Sequence, residues 1–136
     1  MSEQAIIDAE TAVKCFIRTS VLLRKSYEEL LSEWSPDAPP VTIVFSTFGR
    51  ILCSMMPNSK LSEIAKICRI IEDLLLQGNE TVKNAVATGM LEAVLAEASA
   101  GKFDFSSVTC FLGPESKAYC RAWDAFTGNK TEGLFE

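Results

Sequence analysis

Residues 61–99 read LSEIAKICRIIEDLLLQGNETVKNAVATGMLEAVLAEAS, and this stretch decides the fold class. Leu61, Ile64, Cys68, Ile71 and Leu75 recur every three or four positions, the spacing that lines one face of an α-helix. Ile67, Ile70 and Leu74 widen that stripe, so a helix from about Lys60 to Gln77 is expected at the centre of the fold. Gly78 suits the left-handed position that ends a helix, and Asn79 suits the cap of the next, with Glu80 in its first turn. The helix expected over 80–99 presents Val82, Val86, Met90, Ala93 and Val94. Its Ala85, Ala87, Gly89, Ala96 and Ala98 are small enough to admit close neighbours, and Gly101 closes it. With only Gly78 and Asn79 between them, the two helices are expected to form an antiparallel hairpin.

Upstream, residues 3–34 read as helix, either one long element or two with a break near Thr19-Ser20. Ile6, Ala9, Val13, Phe16 and Ile17 form its stripe, continued by Leu22, Leu23, Tyr27, Leu30, Leu31 and Trp34. Ser35-Pro36-Asp37-Ala38-Pro39-Pro40 stops it, because proline donates no helix hydrogen bond and biases its predecessor to extended geometry. Residues 41–56 carry two readings. Val41-Thr42-Ile43-Val44-Phe45 is rich in strand formers. Over the full length, though, Val41, Val44, Phe45, Phe48, Ile51 and Leu52 share one helical face, so helix is the expectation, and Gly49 within it permits a close helix contact. Pro57-Asn58-Ser59 ends that segment.

Downstream, Phe103, Phe105, Val108, Phe111 and Leu112 predict a short helix or turn laid over the hairpin. Gly113-Pro114-Glu115 starts a last helix whose buried stripe is expected from Tyr119, Ala122, Trp123 and Phe126, with Gly128 as its end. The expectation is an all-α single domain over 1–128, with five or six helices packed as a bundle or short helical-repeat-like stack. Residues 129–136 are expected as a flexible C-terminal tail in which Leu134 and Phe135 have no core role.

Composition narrows the chemistry. The chain has 136 residues, 48% hydrophobic and 23% charged, which suits one soluble domain. It contains no histidine, which removes Ser-His-Asp and Cys-His catalysis, histidine-ligated zinc and an imidazole pH switch. Thirteen Lys and Arg face eighteen Asp and Glu, a net charge of −5, the wrong sign for a nucleic-acid partner. No basic block hides in the average: residues 1–40, 41–78 and 79–136 carry −3, +1 and −3. Cys15, Cys53, Cys68, Cys110 and Cys120 include no CxxC pair and lie in apolar stretches, so they read as reduced, buried thiols of a cytoplasmic protein. The N-terminus lacks the pattern of a secretory signal, and no apolar run approaches the ~20 residues that span a bilayer. No membrane partner, metal or cofactor is expected.

The remaining chemistry is on the surface. Glu72-Asp73 reads as a solvated pair on a polar helix face. Glu28, Glu29, Glu33 and Asp37 cluster around Trp34 at the end of the first helical region. Acids four apart destabilise a helix by roughly 0.2–0.5 kcal/mol. These five residues, Glu28, Glu29, Glu33, Trp34 and Asp37, are the candidate partner-binding set: the acids would steer a basic partner and Trp34 would anchor it. Monomer and dimer both remain open.

Two segments carry a family resemblance. One is Leu74 to Ala93, through Gln77-Gly78-Asn79-Glu80-Thr81-Val82; the other is Phe111-Leu112-Gly113-Pro114-Glu115-Ser116 with Ala118-Tyr119-Cys120-Arg121-Ala122-Trp123. Together with Val44-Phe45 they resemble a family of small bacterial all-α proteins that is similar to the immunity proteins of polymorphic toxins. The match covers roughly residues 40–128, and Leu112-Gly113-Pro114 is its most specific piece. The resemblance implies a cytoplasmic antidote that binds a toxin domain encoded nearby, and it carries over no catalytic residue. Two function classes follow: an immunity-like binding protein, or a helical scaffold or regulatory subunit of a housekeeping complex.

Overall fold

The computed structural model describes residues 6–56 and 58–134; the readings placed on residues 3–5, Pro57 and Phe135 lie outside them, and the helix expected from residue 3 begins only at Ala9, with Ile6 exposed. Helices α1 (Ala9–Thr19), α2 (Val21–Trp34), α3 (Val41–Met55) and α4 (Leu61–Gln77) are followed by α5 over 80–99, α6 (Ser106–Thr109) and α7 (Pro114–Thr127). These are seven helices among the described residues, where five or six are expected. Both optional elements are present. Ser20 leaves helical geometry at φ −137°, ψ 127°, and its hydroxyl accepts from the Leu23 N–H at 3.3 Å, so the first helical region is two helices. The apolar cluster after Gly101 contributes the single turn of α6. Residues 41–55 are helical; tertiary burial of Val44, Phe45, Phe48, Leu52 and Met55 overrides their strand propensity.

Helices α3 and α5 form the central pair. α2 packs on α1 and α3, while α7 packs on α4 and α5. Because α1 also packs against α4, the helices close around one core as a bundle and leave no open solenoid. Phe16, Phe45 and Phe48 fill its centre with ring centroids 5.4–5.9 Å apart, and Tyr27 meets Phe48 at 6.5 Å. The expected hairpin of α4 and α5 is a partial one: their contacts fall toward the start of α5, whose remaining length runs along α3.

The middle of α5, Ala85–Leu91, is a π-helix. Val82, Val86, Met90 and Val94 are spaced by four, which would spiral about 40° per step around a regular α-helix. The wider π turn offsets that drift, and all four side chains are buried. Close approach to α3 is made by glycine on both sides. A Cβ at Gly49 would lie 2.5 Å from the Met90 carbonyl oxygen, and one at Gly89 would lie 2.9 Å from the Thr42 carbonyl oxygen.

Gly78 differs from expectation. Its φ of −71° is extended backbone, not left-handed, because the chain leaves α4 to bridge with Ile7, whose N–H donates to the Gln77 carbonyl at 2.9 Å. Glycine is needed there for space, since a Cβ would lie 2.6 Å from Val82 Cγ1. Asn79 caps α5 as expected, its side chain accepting from the Val82 N–H at 2.9 Å.

The buried face of α7 is also corrected. Ser116, Cys120 and Asp124 are buried, Tyr119 and Trp123 are half-buried, and Ala122 and Phe126 are exposed, Phe126 at 91%. Two polar side chains can occupy that seam because each is hydrogen-bonded. Ser116 donates to Glu72 of α4 at 2.8 Å, and Asp124 accepts from the backbone and hydroxyl of Thr131, both at 2.7 Å. The second of these ties down residues 129–134, the segment expected as a tail: Leu134 is fully buried, and its carbonyl accepts from Arg121 at 3.3 Å. Asp124→Ala is therefore expected to cost roughly 2 kcal/mol and to speed tryptic cleavage after Lys130. Unchanged cleavage would show that Leu134 alone holds the segment.

Candidate protein-binding surface

Helix α2 buries only Leu23, Ser26 and Leu30 along its inner line. Its apolar stripe is broader than the strip it buries, because only α1 and α3 cover it substantially. Tyr27, Leu31 and Trp34, four and three residues apart, follow one flank; Leu22, Glu29 and Glu33 follow the other. Leu31 and Trp34, read in sequence as part of a core stripe, are exposed at 40% and 39%.

The five candidate residues are all exposed and lie within one short stretch, but they do not share one flank. Glu29 and Glu33 stand together. Glu28 turns toward Arg24, which it meets at 3.6 Å in an exposed pair of little energetic weight. Asp37 sits in the turn after α2, where its N–H donates to the Trp34 carbonyl at 2.8 Å. Between Lys25 and Arg50 there is no Lys or Arg at all, while four acids fall in that interval. The last turn of α2 carries no basic residue, so Glu33 faces the negative end of the helix dipole as well as Glu29. Each arrangement costs the helix a few tenths of a kcal/mol.

Beside this stretch a groove of about 310 Å³ opens between α1, α2 and the start of α3. Val13, Ile17, Tyr27, Pro39, Val41 and Val44 line it, and Glu10 and Lys14 on its α1 side form an exposed ion pair at 3.2 Å. Sequence reading found the acids and Trp34 but not the groove, because its walls come from three separate elements. Phe126, expected in the buried stripe of the last helix, is exposed instead, on a helix that packs on α4 and α5.

Elsewhere the reactive side chains have structural surroundings. Burial pushes the thiols of Cys53, Cys68 and Cys120 up to about 12, so none is a thiolate near neutrality. Cys110 is exposed, contrary to the reading of every cysteine as buried. Tyr119 donates to Glu92, and burial followed by that contact pushes its hydroxyl above the ordinary tyrosine range. Among the described residues no three His, Cys, Asp or Glu side chains come together in a way that could hold a metal ion. None of their helices is long and apolar enough to cross a membrane.

Residues 20–128 match the model of a domain of unknown function, DUF7674. The chain belongs to the DUF7674 family. The matched span opens at Ser20, the cap of α2, and closes at Gly128, which ends α7 in left-handed geometry at φ 78°. The DUF7674 span thus contains α2 and all five candidate residues, and extends further upstream than the stretch that carries the sequence resemblance. Helix α1, which supplies Phe16 to the core and one wall of the groove, lies outside it. No curated protein and no solved structure matches the chain.

Proposed function

We propose that this DUF7674 protein is a non-enzymatic binding module of the immunity kind, a cytoplasmic protein that occludes a basic toxin domain encoded beside it. The observation that carries the reading is the interval between Lys25 and Arg50, which holds no cation and in which Glu28, Glu29, Glu33, Trp34 and Asp37 are all exposed. Glu29 and Glu33, placed where they weaken their own helix, are a cost without a folding benefit, and a basic partner supplies the compensating attraction. Exposed charges steer an encounter and an exposed aromatic side chain can anchor it, and this stretch carries both. The resemblance of Leu112-Gly113-Pro114 and its surroundings to immunity-like proteins points the same way.

The test is co-expression with the products of adjacent genes. One of them is expected to be toxic alone, to be neutralised by this protein and to co-purify with it; if no neighbour is bound or neutralised, the proposal fails. Against that partner, Glu29→Lys with Glu33→Lys is expected to slow association about tenfold at low ionic strength and to flatten its salt dependence. The melting temperature should stay within a degree or two, because both side chains are exposed. Unaltered association kinetics would place the interface elsewhere.

A further inference from the structure

We infer that α1 is exchangeable: two copies of this chain pair by trading their first helices, with Ser20 as the hinge. Ser20 alone separates α1 from α2, and its N–H still donates to the Phe16 carbonyl at 3.2 Å, as in an unbroken helix. Residues 9–34 contain no glycine or proline, and their apolar spacing runs through the break. Turning Ser20 from extended to helical backbone therefore joins α1 and α2 into one helix. The change adds hydrogen bonds. At the start of α2 the Leu23 N–H is served by the Ser20 hydroxyl and the Arg24 N–H by the Ser20 carbonyl, but those of Val21 and Leu22 meet no acceptor among the described residues. In the joined helix they reach the carbonyls of Ile17 and Arg18, four residues back.

Straightening removes α1 from its own core. Ala12, Val13 and Phe16 are its buried residues, and it packs on α2, α4 and the start of α5. The same helix of a second copy refills that space with the same contacts. Ile7 travels with it: its N–H donates to the Gln77 carbonyl and its carbonyl accepts from the Asn79 N–H, both at 2.9 Å, a bridge that a second copy's Ile7 can remake. The socket lies within residues 20–128, the span that matches the family, whereas α1 lies outside it. What differs between the closed chain and the exchanged pair is the hinge and the surface beside it. Val21 and Leu22 are apolar and exposed there. In a two-fold exchange the hinges of the two copies face each other across the axis, which covers these side chains. A short hinge invites such exchange, and high concentration during folding favours it over closure within one chain. Pairing of this kind is independent of the binding function proposed above.

Refolding from urea at millimolar and at micromolar protein concentration, followed by native mass spectrometry, tests this. The millimolar sample is expected to hold a dimer that survives dilution for hours and reverts on warming, because reversal requires α1 to leave a core. In that dimer the Val21 and Leu22 amides should exchange hydrogen about tenfold more slowly, or slower still, than in the monomer. Ser20→Ala favours the joined helix, while Ser20→Gly keeps a tolerable cap and disfavours it, so the dimer-to-monomer ratio should be about tenfold or more higher for alanine. The wild-type protein decides the matter even if neither variant folds. A dimer that falls apart on dilution, with Val21 and Leu22 as fast as in the monomer, would be two closed chains in contact and would overturn the proposal. Wild-type monomer alone at both concentrations would overturn it as well, and equal ratios for the two variants would deny Ser20 the hinge.

Discussion

Replacing Gly49 by alanine is expected to destabilise the protein by roughly 3 kcal/mol and to lower its melting temperature by about 10 °C. Two effects compete. Alanine is the better helix former, by about 1 kcal/mol in an exposed helix. At this position, however, the added methyl would lie 2.5 Å from the Met90 carbonyl oxygen and 2.9 Å from Ala93 Cβ. The first obstacle is backbone in the central π segment of α5, so relief requires moving one central helix away from the other. Separation also loosens Phe45 and Phe48, which share α3 with Gly49 and stack at 5.9 Å. The overlap therefore outweighs the propensity gain. Gly101→Ala is the contrasting variant: with φ at 76° and open space around it, it meets only the left-handed backbone penalty, about 1 kcal/mol. Thermal and urea denaturation of the two variants measure the difference. Equal losses, or a stabilised Gly49→Ala, would show that α3 and α5 are not in the close contact described.

The contrast between Gly49 and the rest of the chain shows what local sequence encodes. Apolar spacing marks α3 and α4 because each buries a face against neighbours on one side, and periodicity reports that directly. The small residues of 85–98 mark close packing but not its partner, since spacing along one helix does not name the helix opposite. In α7 the signal misleads. Tyr119, Trp123 and Phe126 form a plausible stripe, yet the seam is Ser116, Cys120 and Asp124. Its two polar members are buried because of Glu72, which is 44 residues from Ser116, and Thr131, which lies beyond the end of the helix. Neither partner falls within a helical period. The acids of α2 were legible as surface for the opposite reason: exposed charge needs no partner to be placed, whereas the groove beside them exists only once α1, α2 and α3 are assembled.

Glu72→Ala is expected to cost roughly 2–3 kcal/mol at neutral pH, although sequence alone assigns that residue to a solvated pair. Helix α7 begins with Gly113, which has no capping side chain, and Pro114, which has no N–H. The next two backbone donors are served from α4: Glu115 N–H reaches Glu72 Oε2 at 2.9 Å, and Ser116 N–H reaches Oε1 at 3.0 Å, where the Ser116 hydroxyl also donates. Gly113 supplies the clearance, since a Cβ there would overlap the Glu72 carboxylate. Leu112, buried beside it, fixes the approach. The Leu-Gly-Pro element thus reads as the seat of a helix cap supplied by another helix.

Glu72→Gln should lose less, because its amide oxygen still accepts from one N–H while its NH₂ confronts the other. Burial alone raises the Glu72 carboxyl, but the hydrogen bonds from Glu115 and Ser116 outweigh it and hold the group below its usual range. A depressed folded value means stability present above the ordinary glutamate range and lost as pH falls through the depressed one. The gap between the wild-type protein and Glu72→Gln should therefore narrow in denaturation curves as pH falls from 7 toward 3. A constant gap would deny the charge its role. Gly113→Ala, by expelling the carboxylate, should cost nearly as much as Glu72→Ala, and the two combined much less than their sum. Additive losses would mean that the glycine and the glutamate act on α7 independently.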